Sequence, residues 1–155
     1  MAVQRMSLTV YEGADWNVKA RVQDEDGANV FQAAIDSMDV HVFKLEGSSP
    51  QTEVYKELAI SVSDWDQSTG PSNHVTIMST ALSTTGWDKD DTGFNLDFYL
   101  SITELLTGGA DGSGTISEVG AGNYLVEGHL NRATASTQGP IVFLIDVKVK
   151  ALRSL

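Results

Sequence analysis

The sequence predicts an all-β fold, a single antiparallel β-sandwich of about seven to nine strands. Three observations carry that expectation. Apolar and polar residues alternate with a period of two through most of the chain, the pattern of strands with one buried face. Fourteen glycines and many serines and threonines stand against three prolines, a composition that supplies turns between strands. Helical periodicity is confined to FQAAIDSM and SITELLTGG, each sufficient for a short turn of helix.

Taken in order, DWNVKARVQ sets Trp16, Val18, Ala20 and Val22 against Asn17, Lys19, Arg21 and Gln23, and Asp24-Glu25-Asp26-Gly27 follows as a turn. SMDVHVFKL carries Met38, Val40 and Val42 on one side. EVYKELAISV puts Val54, Leu58, Ile60 and Val62 in phase, and NHVTIMST offers Val75 and Ile77. The clearest alternation is FNLDFYLSI, with Phe94, Leu96, Phe98, Leu100 and Ile102 opposite Asn95, Asp97, Tyr99 and Ser101. GNYLVEGHLNR groups Tyr124, Val126 and Leu130; PIVFLIDVKVKAL groups Ile141, Phe143, Ile145, Val147 and Val149. The opposite face of that last segment changes from Val142 and Leu144 to Asp146, Lys148 and Lys150. Its first half is therefore expected to be covered on both sides and its second half to be solvated on one.

These spacings suit an immunoglobulin-like or jelly-roll-like sandwich, with residues 1–155 forming one domain and no linker or fixed-period repeat dividing them. Gly122-Asn123-Tyr124 ahead of a strand has the form of a tyrosine corner, in which a phenol hydroxyl pins a crossover; an ordinary half-buried tyrosine after a turn has the same form.

The formal charge of −11, from 21 acidic and 10 basic side chains, argues against nucleic acid, since no counterion release favours an acidic protein on a phosphate backbone. Anionic membranes are disfavoured for the same reason. The absence of cysteine excludes a disulfide scaffold and a thiolate zinc site. MAVQRMSLTVYEG has no apolar run of the kind that marks a cleaved secretion signal, and PIVFLI is too short to cross a bilayer. No membrane partner is expected.

GGADGSGTISEVG, residues 108–120, spells like a calcium loop. Aligned on Gly114 at the loop's central glycine, Asp111 and Ser113 fall on ligand positions, but Gly109 and Gly120 stand where the first carboxylate and the bidentate glutamate are required. Glu118 comes two residues early. The segment is expected to be a glycine-rich turn. Asp88, Asp90 and Asp91 in WDKDDTG form an oxygen cluster that, with Asp64 or Asp66 brought near, suits a weak surface cation site; a solvated acidic loop is the alternative.

His41, His74 and His129 each sit opposite the apolar face of their segment, with no metal-binding spacing, so exposed strand histidines are expected. No nucleophile elbow or phosphate loop is present. The chain is expected to have no cofactor and no catalytic residues. Trp16 is in phase with a core face, whereas Trp65 and Trp87 lie beside loops rich in Asp, Ser, Thr and Gly and are the better candidates for partner contact. The alternative for both is a place capping the sandwich ends.

LTVYEGADWNVKARVQDEDGANV followed by AAIDSMDVHVFK resembles the opening of small phage tail and baseplate β-sandwich domains, of the type at the N-terminus of baseplate upper proteins. Val22, Asp24, Asp26, Gly27 and Val30 occupy that family's pattern of a strand, an acidic glycine turn and a returning valine. GNYLVEGHLNRATASTQGPIVFLIDVKV is similar to its closing hairpin. The resemblance spans the first third and the last fifth of the chain, and bacterial immunoglobulin-like modules share much of it. It implies a virion component assembled in the host cytoplasm that docks with other virion proteins as a homo-oligomer and performs no chemistry.

A non-enzymatic virion structural protein of the tail, baseplate or fibre-attachment region is therefore the leading expectation, with a capsid decoration protein as the alternative. A carbohydrate-binding module using Trp65 or Trp87 as a stacking platform is the competing class. Lys148, Lys150 and Arg153, basic residues on an acidic chain, are expected to meet acidic loops of a neighbour in head-to-tail or ring contacts.

Overall fold

In a computed structural model the described residues are 3–28, 30, 34–45, 51–61, 75–77, 96–109, 111–112, 119–133 and 139–152. They form β1 (Val3–Tyr11), β2 (Trp16–Ala20), β3 (Ile35–Leu45), β4 (Gln51–Ser61), β5 (Val75–Ile77), β6 (Leu96–Leu100), α1 (Ile102–Thr107), β7 (Gly122–Arg132) and β8 (Ile141–Lys150). One sheet has the order β1-β8-β7-β3-β4, the other β2-β6-β5. The fold is an all-β sandwich, and its strand order is the immunoglobulin-like one. A second, a fifth and a sixth strand pair apart from the third, fourth, seventh and eighth, as in variable-type domains.

Among the described residues, pairing is antiparallel except at one place. β1 runs parallel to β8, with Val3 opposite Val142 and Tyr11 opposite Lys150. Alternation puts Met6, Leu8 and Val10 against the core, while Val3, Arg5, Ser7, Thr9 and Tyr11 remain exposed.

The two sheets meet through the residues that alternation selects. Trp16 and Val18 of β2 and Leu96, Phe98 and Leu100 of β6 face Met38, Val40 and Val42 of β3, Val126 and Leu130 of β7, and Phe143, Ile145 and Val147 of β8, all buried. Each such large apolar side chain contributes about 1.5–3 kcal/mol by leaving water. Two edge-to-face ring pairs cross between the sheets: Trp16 with Tyr124, centroids 5.4 Å apart, and Phe98 with Phe143 at 5.9 Å. Val142, on the other face of β8, is also buried, so the first half of this strand is covered on both sides as its composition implies.

Two sequence expectations need correction. Leu58 is exposed rather than in phase with Val54 and Ile60, and Tyr55 is buried. Register shifts lie between Met38 and Val40 and between Val42 and Phe43 where β3 meets β4, and Ala59 adopts φ 54°; these irregularities break the period-two count. Ile102 does not extend β6. Ser101 ends the strand and caps α1, its hydroxyl accepting from the Glu104 N–H at 3.1 Å, a serine N-cap that satisfies one orphan donor. In FQAAIDSM, Ala34 lies in a 3-10 turn and Ile35 begins β3, while residues 31–33 lie outside the described residues.

The tyrosine corner is formed. The Tyr124 hydroxyl donates to the Gly120 carbonyl at 2.9 Å from a side chain that is fully buried. The turn after β2 is equally well tied. Asp24 Oδ1 accepts from the Asp26 and Ala28 amides, both at 2.9 Å, and Val30 N–H returns to the Val22 carbonyl at 3.0 Å with both valines buried. Arg132 then clamps the turn to the end of β7, giving two hydrogen bonds to the Glu25 carboxylate and one to the Gly139 carbonyl.

Candidate functional site

A sandwich exposes edges and outer faces, and here the two edges of the five-stranded sheet are treated differently. An unpaired edge presents N–H and C=O groups that another strand can join. At β4 that edge is occupied by the segment after α1. Lys56 N–H donates to the Gly108 carbonyl at 3.0 Å, and Asp111 N–H donates to the Lys56 carbonyl at 3.1 Å. The Asp111 carboxylate accepts from the Leu58 N–H at 2.8 Å. The glycine-rich stretch that spells like a calcium loop is, over its described residues, an edge cap, and its carboxylate is engaged by backbone.

At the opposite edge, β1 pairs with β8 alone among the described residues. Val3 and Tyr11 are 52% and 56% exposed, unusual for large apolar side chains on a strand. Arg5 is the one charged residue of β1. Its guanidinium donates two 2.7 Å hydrogen bonds to Asp146 on β8, and this acceptor holds the guanidinium above its ordinary value.

The outer face of the same sheet brings together residues far apart in sequence. Register places Ser7, Asp146, Leu125, Phe43 and Glu53 in one row across the five strands. The neighbouring row runs Arg5, Leu144, Glu127, His41 and Lys56. Half-buried Leu125, Phe43 and Leu144 thus lie among the charged Arg5, Asp146, Glu127, Glu53 and Lys56. His41 and His129 meet edge-to-face with centroids 5.9 Å apart, and the His41 ring stacks on Phe43. Each imidazole also has a carboxylate: Glu53 at 2.9 Å from His41 Nδ1 and Glu127 at 2.6 Å from His129 Nε2. Among the described residues no group of three or more histidines and carboxylates is arranged to hold a metal ion.

Towards the far end of this face a shallow depression of about 410 Å³ opens between Ser7 and Thr9 of β1, Asp146 and Lys148 of β8, Asn123 of β7 and Leu45 of β3. Its floor includes Tyr124, and the Lys44 ammonium sits 5.9 Å from the centre of that ring. On the inward side of β4, Tyr55 donates to Glu57 at 2.7 Å. Burial first, and then that carboxylate, push the phenol far above its ordinary value.

The sequence-derived site residues divide between these surfaces and segments outside the described residues. Lys148 and Lys150 are exposed near the end of β8, opposite Thr9 and Tyr11. Trp65, Trp87, His74, Arg153, Asp64, Asp66, Asp88, Asp90 and Asp91 lie outside the described residues. Trp16 is interior, as its phase implies. The pairing of His41 with His129 was not anticipated. The signal was their shared polar phase on two strands, but it becomes a contact only once β3 is known to neighbour β7, with Asp39 opposite His129. The edge cap at Asp111 was missed because a loop's hydrogen-bond partners leave no periodicity.

No family model matches the sequence, and no curated protein matches it. Among solved structures, the chain is similar to the NK cell receptor Nkp44, a triggering partner in natural cytotoxicity, at 12% identity across 94% of this chain and 99% of that one, with a TM-score of 0.31. At that score the likeness bears on neither fold nor function.

Proposed function

We propose that this chain is a non-enzymatic structural protein of a bacteriophage virion, a β-sandwich that docks in the tail, baseplate or fibre-attachment region. The observation that carries the reading is the contrast between the two edges: β4 is closed by Gly108 and Asp111, whereas among the described residues β1 pairs with β8 alone and has exposed apolar ends. An edge left open beside one that is capped is a docking device rather than an oversight of folding. The resemblance to baseplate domains supports it through residues with clear jobs. Val22 and Val30 anchor the turn, Asp24 ties it, and Gly27 takes φ 80°, so the family's pattern describes a built feature. Lys148 and Lys150, together with Arg153, Trp65 and Trp87, are the further contact residues of this proposal.

The test is mass spectrometry of purified particles from the source, with copy number measured against the major shell protein. A few copies per particle are expected. A number comparable to the shell protein would move the chain to the head as a decoration protein, and absence from particles would overturn the virion reading.

A further inference from the structure

The geometry points to β1 as a self-complementary edge on which a second copy of this chain docks, antiparallel β1 against β1, about a twofold axis at Ser7. This inference rests on the docking reading above and names the partner.

The direction of the backbone groups is set at the end of the strand. Glu12 N–H donates to the Lys150 carbonyl at 3.0 Å, and successive residues of a strand present their backbone groups to opposite edges. Carried back along β1, the even-numbered residues bond to β8 while Val3, Arg5, Ser7, Thr9 and Tyr11 turn their N–H groups outward. The Tyr11 carbonyl already accepts from Ala14 N–H in the following turn at 3.2 Å, so at that end of the strand a partner is met by the Tyr11 N–H and side chain.

An antiparallel partner hydrogen-bonds residues that face it, so the pairs must be odd with odd. A twofold at Ser7 places Ser7 on its own copy, Arg5 on Thr9, and Val3 on Tyr11. The last pair occurs twice, once at each end, and it covers the two exposed apolar side chains of the strand with each other. β-branched against aromatic is a favourable cross-strand combination. The same register keeps the even residues, including Met6, Leu8 and Val10, on the core side in both copies.

Charge favours this strip over the rest of the surface. Each chain carries −11, so two copies repel wherever their acidic surfaces meet. Along β1 the one charge, Arg5, is neutralised by Asp146, and no outward lysine or proline guards the edge. An interface limited to two nine-residue strands belongs with small interfaces below about 1,200 Å². The dimer is therefore expected to grow with concentration. It is also expected to strengthen with salt, because screening with a Debye length of about 10 Å at 0.1 M reduces repulsion between the copies. A head-to-tail contact between the basic end of β8 and acidic loops predicts the opposite salt dependence.

The decisive experiment uses the absence of native cysteine. Across a hydrogen-bonded antiparallel pair the Cα atoms stand about 5.5 Å apart, inside the roughly 4.4–6.8 Å range of disulfides. Ser7→Cys should therefore cross-link to a dimer under mild oxidation. Thr9→Cys should not, since Thr9 and its mate would lie four residues apart along the strand, about 14 Å. Ser7→Pro removes an outward N–H without touching the β8 ladder, so it should keep the fold by circular dichroism and sediment as a monomer. If it does not fold, Thr9→Lys, which adds an outward charge, takes its place with the same expected loss of dimer. Equal cross-linking of the two cysteine variants, or wild-type protein that stays monomeric at high concentration and salt, overturns the inference. Should wild type be monomeric yet Ser7→Pro drop out of particles, β1 receives a strand from another protein and the second copy is wrong. A dimer that cross-links at Ser7 but is absent from particles leaves this inference standing and removes the virion reading.

Discussion

Gly109 lies so close to Lys56 that a Cβ on the glycine would stand 2.3 Å from the Lys56 carbonyl oxygen and 2.9 Å from its carbon. Both atoms are backbone of β4 and cannot swing aside. Gly109 also adopts φ +81°, where an L side chain costs about 1–2 kcal/mol, and overpacking adds roughly 1–3 kcal/mol. Gly109→Ala is expected to lower unfolding free energy by about 2–5 kcal/mol. It should also loosen the cap, exposing the amides of Lys56 and Leu58. A urea midpoint matching wild type, with no rise in light scattering, would show that the cap is dispensable.

The corner at Tyr124 makes a separate prediction. Its hydroxyl is the donor to the Gly120 carbonyl at the point where the chain enters β7, and the side chain is 1% exposed. Tyr124→Phe keeps the ring contact with Trp16 but leaves that carbonyl short of a partner, at a cost of about 1–3 kcal/mol. The expected signature is a lower denaturant midpoint at unchanged slope, because compactness is retained. A midpoint that does not move sinks the assignment.

How far the sequence reached can be judged from particular residues. Strands with an inward face of uniform type were legible: Met38, Val40 and Val42 alternate and are all fully buried, as are Leu96, Phe98 and Leu100. β1 escaped the alternation reading. Met6, Leu8 and Val10 do alternate, but Val3 and Tyr11 put apolar residues on the wrong phase, and those are the two that stay exposed. Leu58 failed for a geometric reason, since a bulge inserts a residue that no hydropathy count registers. Of the contact residues, Lys148 and Lys150 were legible as the solvated end of β8, because alternation there is strict. The role of Asp111 was not, because its partner amide at Leu58 is 53 residues away in sequence.

Asp15 predicts an acid-range effect. Its carboxylate accepts from the Ile102 N–H and from the Tyr99 hydroxyl, each at 2.8 Å, joining the start of β2 to the end of β6. The Ile102 bond first, and then the Tyr99 bond, hold the carboxyl below its ordinary value, with slight desolvation opposing them. A depressed folded-state pKa means stabilisation that is complete above the unfolded value of about 3.9 and lost as pH falls through the folded one. Asp15→Asn should therefore be less stable than wild type at neutral pH, with the gap closing as pH drops below about 4. Thermal midpoints across pH 2–7 check this; curves that stay parallel throughout would remove Asp15 as the cause.

Gly128 tests the core rather than the backbone. It lies on β7 directly opposite Phe143 of β8, and the phenyl ring folds over it so closely that an added Cβ would meet ring atoms at 2.1, 2.3 and 2.6 Å. The ring cannot retreat, because it packs edge-to-face on Phe98 of the other sheet at 5.9 Å and is fully buried. The φ of Gly128 is not in the left-handed region, so a substitution there is a test of volume alone. Gly128→Ala should cost about 1–3 kcal/mol by overpacking, and Phe143→Leu alone should also destabilise by leaving a gap. Combined, the added methyl occupies part of the space the ring vacates. The double variant is expected to be more stable than the sum of the single losses by about 0.5–3 kcal/mol, the range for residues in contact. Denaturant unfolding of all four proteins measures that coupling, and strict additivity would mean that the ring does not rely on the missing side chain at Gly128.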